Sequence, residues 1–329
     1  MAKYRNALPQ LNGDLFLTDG GLETTLIFLE GQELPDFAAF HLLKTPSGEK
    51  ALTGYYRTYA ALARQLDTGL ILESATWRAS SDWGAKLGYT REALADSNRK
   101  AIRMLEEIRR ECEREGITTV LSGCVGPRGD GYVPGKIMSA QEAEDYHGEQ
   151  IRTFASTAAD MVCAITMNYP EEAIGISRAA GSVGMPVAIS FTLETDGKLP
   201  TGQSLREAIE TVDDETSAAP SYYMINCAHP SHFDQVLAGG GDFVARVRGL
   251  RANASRMSHA ELNESPTLDA GDPAELGSQY ARLKSSMQDL NVLGGCCGTD
   301  HRHVEAIAQA CLPYFKQGRA NNRNGPTGV

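Results

Sequence analysis

Near the end of this 329-residue chain two cysteines stand side by side, in Gly294-Gly295-Cys296-Cys297-Gly298-Thr299. A single cysteine readily fills a small apolar core position. Two in succession, bracketed by glycines, instead set both sulfurs on a tight turn, which suits a metal better than a core. Thiolates in tetrahedral array favour zinc, with Zn–S distances of about 2.3 Å, so a further ligand has to come from elsewhere. Two packed thiols or a vicinal disulfide is the competing reading of the pair. The seven cysteines are odd in number and irregularly spaced, unlike the disulfide framework of a small secreted protein. A reducing cytoplasm is the expected compartment.

The elements that must position these residues follow from the hydrophobic period. Short apolar or β-branched runs at 14–18, 69–76, 118–124, 161–166, 186–192, 222–227, 243–247 and 292–295 read as strands. Helical patterns follow them at 48–66, 91–115, 140–159, 171–180, 205–213, 231–237, 273–288 and 301–315. Strand–helix units in this series predict a single (β/α)8 TIM barrel, because each parallel strand needs a crossover and eight strands close the sheet. A doubly wound open sheet is the competing architecture. The barrel is expected over residues 1–317, and 318–329, rich in Asn and Gly, as a disordered tail.

A barrel of this kind builds its active site at the C-terminal ends of its strands. The unusual residues fall there: Asp19-Gly20-Gly21 after strand one, Thr76-Trp77-Arg78 after strand two, Cys124 after three, Asn226-Cys227 after six and Cys296-Cys297 after eight. Strands six and eight are near enough around the ring for Cys227 to be the third ligand, leaving one position open as in a catalytic zinc site. Asp19, Gly20, Gly21, Glu73, Thr76, Trp77 and Asn226 are the candidate substrate contacts. Asp19 before two glycines is read equally well as a turn residue. Glu73, inside an apolar run, is either ion-paired in the barrel or turned to the pocket, since burying it bare is too costly.

Cys112, Cys163 and Cys311 read as core residues, and Cys124 more as a small core residue than a functional one. His229, His232, His301 and His303 read as helix-start or surface residues. The connection 248–272, carrying Arg248, Arg251 and Arg256 beside Asn253 and Ser255, is long enough to be a binding loop. The glycine-rich turn before a helix also suits phosphate, which makes a phosphate-binding barrel lyase or isomerase the alternative enzyme class.

A net charge of −11 argues against a nucleic-acid partner and a polybasic membrane anchor, and no apolar run is long enough to span a bilayer. A small molecule is the expected partner, and a homo-oligomer is compatible with the composition.

Taken together, Thr18-Asp19-Gly20-Gly21-Leu22-Glu23-Thr24, Ser122-Gly123-Cys124-Val125-Gly126-Pro127, Asn226-Cys227 and the Cys296-Cys297 segment resemble the zinc-dependent homocysteine S-methyltransferase family. The resemblance covers nearly the whole chain. It implies a (β/α)8 barrel with Zn2+ held by Cys227, Cys296 and Cys297, activation of a thiol acceptor such as homocysteine to give methionine, and a small methyl donor. Because the chain ends soon after the eighth unit, a free donor such as S-methylmethionine, S-adenosylmethionine or a betaine-like compound is expected. Trp77 or Tyr132 would then hold a cationic donor by cation–π contact. One position departs from the family pattern: Ile165, in Ala164-Ile165-Thr166-Met167-Asn168, replaces the glutamate that holds the acceptor's amino group. Glu73 or another carboxylate would have to compensate, or the acceptor is a different thiol, bound with or without methyl transfer.

Overall fold

The structure, a computed structural model, describes residues 1–323, of which 316–323 as backbone alone. Eight parallel strands close into a barrel in chain order: β1 (Phe16–Leu17), β2 (Gly69–Glu73), β3 (Thr119–Val125), β4 (Met161–Met167), β5 (Val187–Thr192), β6 (Tyr222–Asn226), β7 (Val247–Ala252) and β8 (Val292–Gly295). Closure is made by β1 against β8, with Phe16 opposite Val292 and Leu17 opposite Leu293. The principal helices between them are α1 (Pro46–Leu66), α2 (Arg91–Arg114), α3 (Ala140–Ala155), α4 (Pro170–Ser182), α5 (Leu205–Thr216), α6 (Pro230–Ala238), α7 (Pro273–Ser286) and α8 (His301–Arg323).

Local chemistry explains where these helices start. Thr45 and Thr90 cap α1 and α2 through their hydroxyls, and Ser139 with Glu142 and Ser204 with Glu207 form reciprocal capping boxes on α3 and α5. In α2 the buried residues Ala101, Ile102, Leu105, Ile108 and Cys112 recur at helical spacing, so one face packs on the sheet. Among the described residues no helix is long and apolar enough to cross a membrane.

Two hydrophobic layers result. Leu17, Leu70, Leu72, Leu121, Val162, Ile189 and Leu250 face outward to the helices. Phe16, Ile71, Val120, Met161, Cys163, Tyr222, Met224 and Val292 fill the barrel interior. Cys163 is thus an interior core residue, while Cys112 and Cys311 are buried in the outer layer.

Two expectations need correction. The seventh strand is Val247–Ala252, and residues 242–246, expected to begin it, form a short helix after Gly240 and Gly241. Arg248 and Arg251 therefore belong to a strand instead of a loop, because Arg251 finds buried carboxylates inside the barrel that neutralise it. The last helix also runs to Arg323, so 318–323 of the expected disordered tail continue that helix, and 324–329 lie outside the described residues.

Candidate metal centre

Side-chain parity along the strands carries the site. Glu73 points inward with Ile71, Ile165 with Cys163, and Asn226 with Met224, since alternate residues share a face. At the C-terminal mouth Glu73 and Ile165 form the floor of a cavity of about 340 Å³, with Asn226 buried behind it. Its wall includes Asp19, Gly20, Gly21, Glu23, Glu73, Trp77 and Arg78. Opposite them lie Tyr132, Ile165, Cys227, Arg251, Cys296 and Cys297. The connection after β7 carries a short helix, His259–Glu264, and contributes Ser255, His259, Leu262 and Leu268 to the wall, as expected of a binding loop.

Cys227, Cys296 and Cys297 converge, with their sulfurs within 4.8 Å of one another. Each is a free thiol, and Cys227 Sγ lies 2.7 Å from Cys296 Sγ. Cys227 follows β6 in the left-handed region, with φ 53°, a conformation that costs about 1–2 kcal/mol for a residue bearing a Cβ. It is held there by its amide donating to Arg251 O at 3.2 Å and by His259 Nε2 bonding its carbonyl. The other two thiols are carried by a turn anchored on both sides: Cys296 N donates to Ala252 O at 2.8 Å, and Thr299 N and Oγ1 donate to Cys296 O at 3.1 and 2.6 Å.

The thiols share their protons unequally. Hydrogen bonds from Cys296 and Cys297 favour the thiolate of Cys227 and hold its pKa well below the usual thiol range. The same hydrogen bonds, with burial and the charge on Cys227, push Cys297 upward. Three soft sulfur donors in one partly buried cluster fit a thiophilic divalent cation, which would take all three as thiolates. Tyr132 caps the cluster, its hydroxyl 3.5 Å from Cys227 Sγ and 3.6 Å from Cys297 Sγ.

Beneath the thiols lies a buried ion cluster, of which sequence reading anticipated the pairing of Glu73 but not the partner Arg251 or the part played by Asp19. Arg251 Nη2 donates to Asp19 Oδ1 at 2.6 Å and to Gly20 O at 3.2 Å, Nη1 pairs with Glu73, and Nε donates to Gly295 O at 3.1 Å. One guanidinium thus ties together the mouth ends of β1, β2, β7 and β8. Asp19 also accepts from Tyr55 Oη at 3.0 Å. Burial raises the pKa of both carboxyls, and Arg251 works against that rise. Asp19 is therefore a floor residue instead of a turn Asp, and Glu73 is engaged, so it is not free to replace the carboxylate missing at Ile165. Glu23 is the freer group: it lines the cavity, forms no ion pair among the described residues, and is pushed up to about 7 by burial and by Cys296 and Asp19 nearby.

Two expected contacts, Thr76 and Asn226, take other roles. Thr76 is fully buried, donating through Oγ1 to Cys124 O at 2.8 Å, and does not reach the cavity. Asn226 is also fully buried. Its Oδ1 accepts from Thr166 N at 3.0 Å and Ser190 Oγ at 2.6 Å, and its Nδ2 donates to Thr166 Oγ1 at 2.9 Å. This clasp holds Thr166 at φ 67° and so aims Ile165. Trp77 lines the cavity, yet its ring is covered by the Arg78 guanidinium at 3.9 Å, and the ring of Tyr132 stacks on His259 at 4.1 Å. Each ring therefore has one face engaged by a neighbour, and both rings line the cavity.

The glycines have a packing explanation. A Cβ on Gly294 would lie 1.9 Å from Thr18 Oγ1 and 2.7 Å from Asp19 O, and one on Gly21 would lie 2.6 Å from Cys296 O. They let β1 and β8 approach closely. The start of α8 carries Asp300, whose Oδ1 accepts from Arg302 N at 2.9 Å, a carboxylate where a bound phosphate would need a donor. Of the histidines, His229 caps α6 and His303 is buried on Asp300. His259, which sequence reading did not single out, is the one against the thiols. Cys124 lines the cavity.

Comparison with known proteins gives a consistent picture. A family model described as homocysteine S-methyltransferase matches residues 16–311. Homocysteine S-methyltransferase 1 of Brassica oleracea var. italica is 22% identical over 180 residues, a match spanning 53% of this chain and 53% of that protein. Betaine–homocysteine S-methyltransferase 1 of Rattus norvegicus is 23% identical over 335 residues, 94% of this chain and 75% of the relative. Among solved structures, the metallated form of the homocysteine methyltransferase MmuM from Escherichia coli shares the fold, with a TM-score of 0.68, 18% identity, and coverage of 90% of this chain and 96% of that one.

Proposed function

The chain belongs to the homocysteine S-methyltransferase family, and from that premise we propose that it is a zinc-dependent enzyme transferring a methyl group from a small donor to a thiol acceptor such as homocysteine. The observation that carries this reading is the convergence of Cys227, Cys296 and Cys297 within 4.8 Å in the wall of the mouth cavity. Cys227, Cys296 and Cys297 would hold the zinc. When bound, the ion supplies Lewis acidity that brings an acceptor thiol into its nucleophilic thiolate form near neutral pH.

The chain's own residues do the rest. The Asp19–Arg251–Glu73 cluster fixes the ends of β1, β2, β7 and β8, so the turn bearing Cys296 and Cys297 keeps its place relative to Cys227. His259 holds the Cys227 carbonyl. Tyr132 stands over the sulfurs and has to yield room to an acceptor, its hydroxyl remaining close enough to donate to a sulfur. Phe28, Phe37, Leu262 and Leu268 line the cavity and make its outer surface apolar. In the transfer a sulfur lone pair forms the new S–CH3 bond as the methyl–donor bond breaks in line, the electron pair staying on the donor. Holding the two reactants in that line is worth a large part of the rate.

The test is metal analysis of protein purified without chelators, with Cys297→Ser alongside, joined to a mass-spectrometric screen of thiol acceptors against methyl donors. Near-stoichiometric zinc, lost in Cys297→Ser together with methylated thiol product, is expected. Undiminished methyl transfer by zinc-free protein refutes the proposal.

A further inference from the structure

Among the described residues Arg78 is a buried cation without a counter-ion, on the cavity wall. It is 6% exposed and sits in the connection after β2. Its guanidinium is sandwiched between the rings of Trp77 and Trp83, 3.9 and 3.8 Å from their centroids. Nη1 donates to Gly129 O at 2.9 Å, while the buried Nε has no partner. The two other buried arginines among the described residues are both neutralised: Arg109 by Asp160 at 2.9 Å, and Arg251 by Asp19 and Glu73. Arg78 forms no ion pair among the described residues. Glu23 and Asp130 share its cavity wall, but neither is bonded to it.

An arginine does not escape burial by losing its proton. A guanidinium taken from water without a partner anion is costly, and the two indole faces offset that only in part. They do fix its plane, so its remaining N–H groups are preorganised as a planar fork, a geometry that matches a carboxylate.

Resting on the methyl-transfer reading above, we propose that Arg78 anchors the carboxylate of a small amino-acid-like substrate in this cavity. The carboxylate belongs either to the thiol acceptor or to the methyl donor, and Arg78 selects for it. The residue binds substrate and takes no part in proton or methyl movement.

The experiment is calorimetric titration of zinc-loaded wild type, Arg78→Gln and Arg78→Lys with ligands paired by presence or absence of the carboxylate. Homocysteine against 3-aminopropanethiol tests the acceptor, and S-methylmethionine against (3-aminopropyl)dimethylsulfonium tests the donor. In wild type the carboxylate-bearing member of at least one pair binds more tightly. Arg78→Gln should shrink that preference roughly 10- to 150-fold, as expected for loss of a hydrogen bond to a charged group, and Arg78→Lys should shrink it less. The pair in which the preference collapses identifies the source of the carboxylate. A purely structural role for the Trp77–Arg78–Trp83 stack weakens both members of a pair equally, and that result, or an unchanged preference, overturns the proposal. Thiol turnover without any Arg78-dependent preference sinks Arg78 alone. An Arg78-dependent preference without methyl transfer sinks the proposed function alone.

Discussion

Replacing Arg251 with Met tests whether the buried ion cluster holds the mouth of the barrel together. Asp19, Glu73 and Arg251 are 5%, 6% and 6% exposed, so removing the cation leaves two nearly buried carboxylates with no counter-ion. Breaking a buried pair in this way costs about 3–5 kcal/mol. The unfolding entropy of a chain this long is roughly 0.7 kcal/mol/K, at about 2.1 cal/mol/K per residue, so the melting temperature should fall by about 4–7 °C. Scanning calorimetry on zinc-stripped protein measures this without any contribution from metal ligation. The deficit has a definite pH sign. Without Arg251 the folded-state pKa values of Asp19 and Glu73 rise further above their unfolded values, so the variant is least stable near neutrality and recovers as acid protonates the two groups. A shift under about 2 °C, or a deficit that stays constant on lowering the pH by about two units, refutes the reasoning.

Gly294→Ala should destabilise by about 1–3 kcal/mol through overpacking, because the added methyl meets Thr18 Oγ1 and the Asp19 carbonyl; an unchanged urea midpoint contradicts it. Burial opposes the charge on Asp300, but hydrogen bonds from Arg302 and His303 prevail and hold its carboxyl at about 2. Its stabilisation is thus present above the unfolded value near 3.8 and lost as pH falls from there toward about 2. Urea titrations across that window should show a shallower acid loss in Asp300→Asn than in wild type.

The strand–helix alternation was legible because it rests on local pattern. Seven strands lie within two or three residues of where the apolar runs place them. The seventh was displaced because Arg248 and Arg251 read as loop residues: a charge in a strand makes sense only beside the carboxylates that compensate it, and those lie on β1 and β2. Arg78 was in view at the end of strand two, yet its isolation from counter-ions belongs to the folded wall.

The chain alone determined the barrel and the thiol chemistry, since hydrophobic period and adjacent cysteines between glycines are local signals that need no partner to be read. Cys227 could be added because barrel closure orders the strands. Tertiary structure decided which way the other candidates face. In a barrel strand both faces are buried, one on the interior and one on the helices, so polarity does not distinguish them. Register and closure do, and they turn Thr76 and Asn226 into hydrogen bonds within the wall, commit Asp19 and Glu73 to Arg251, and leave Glu23 and Arg78 facing the cavity without an ion pair among the described residues.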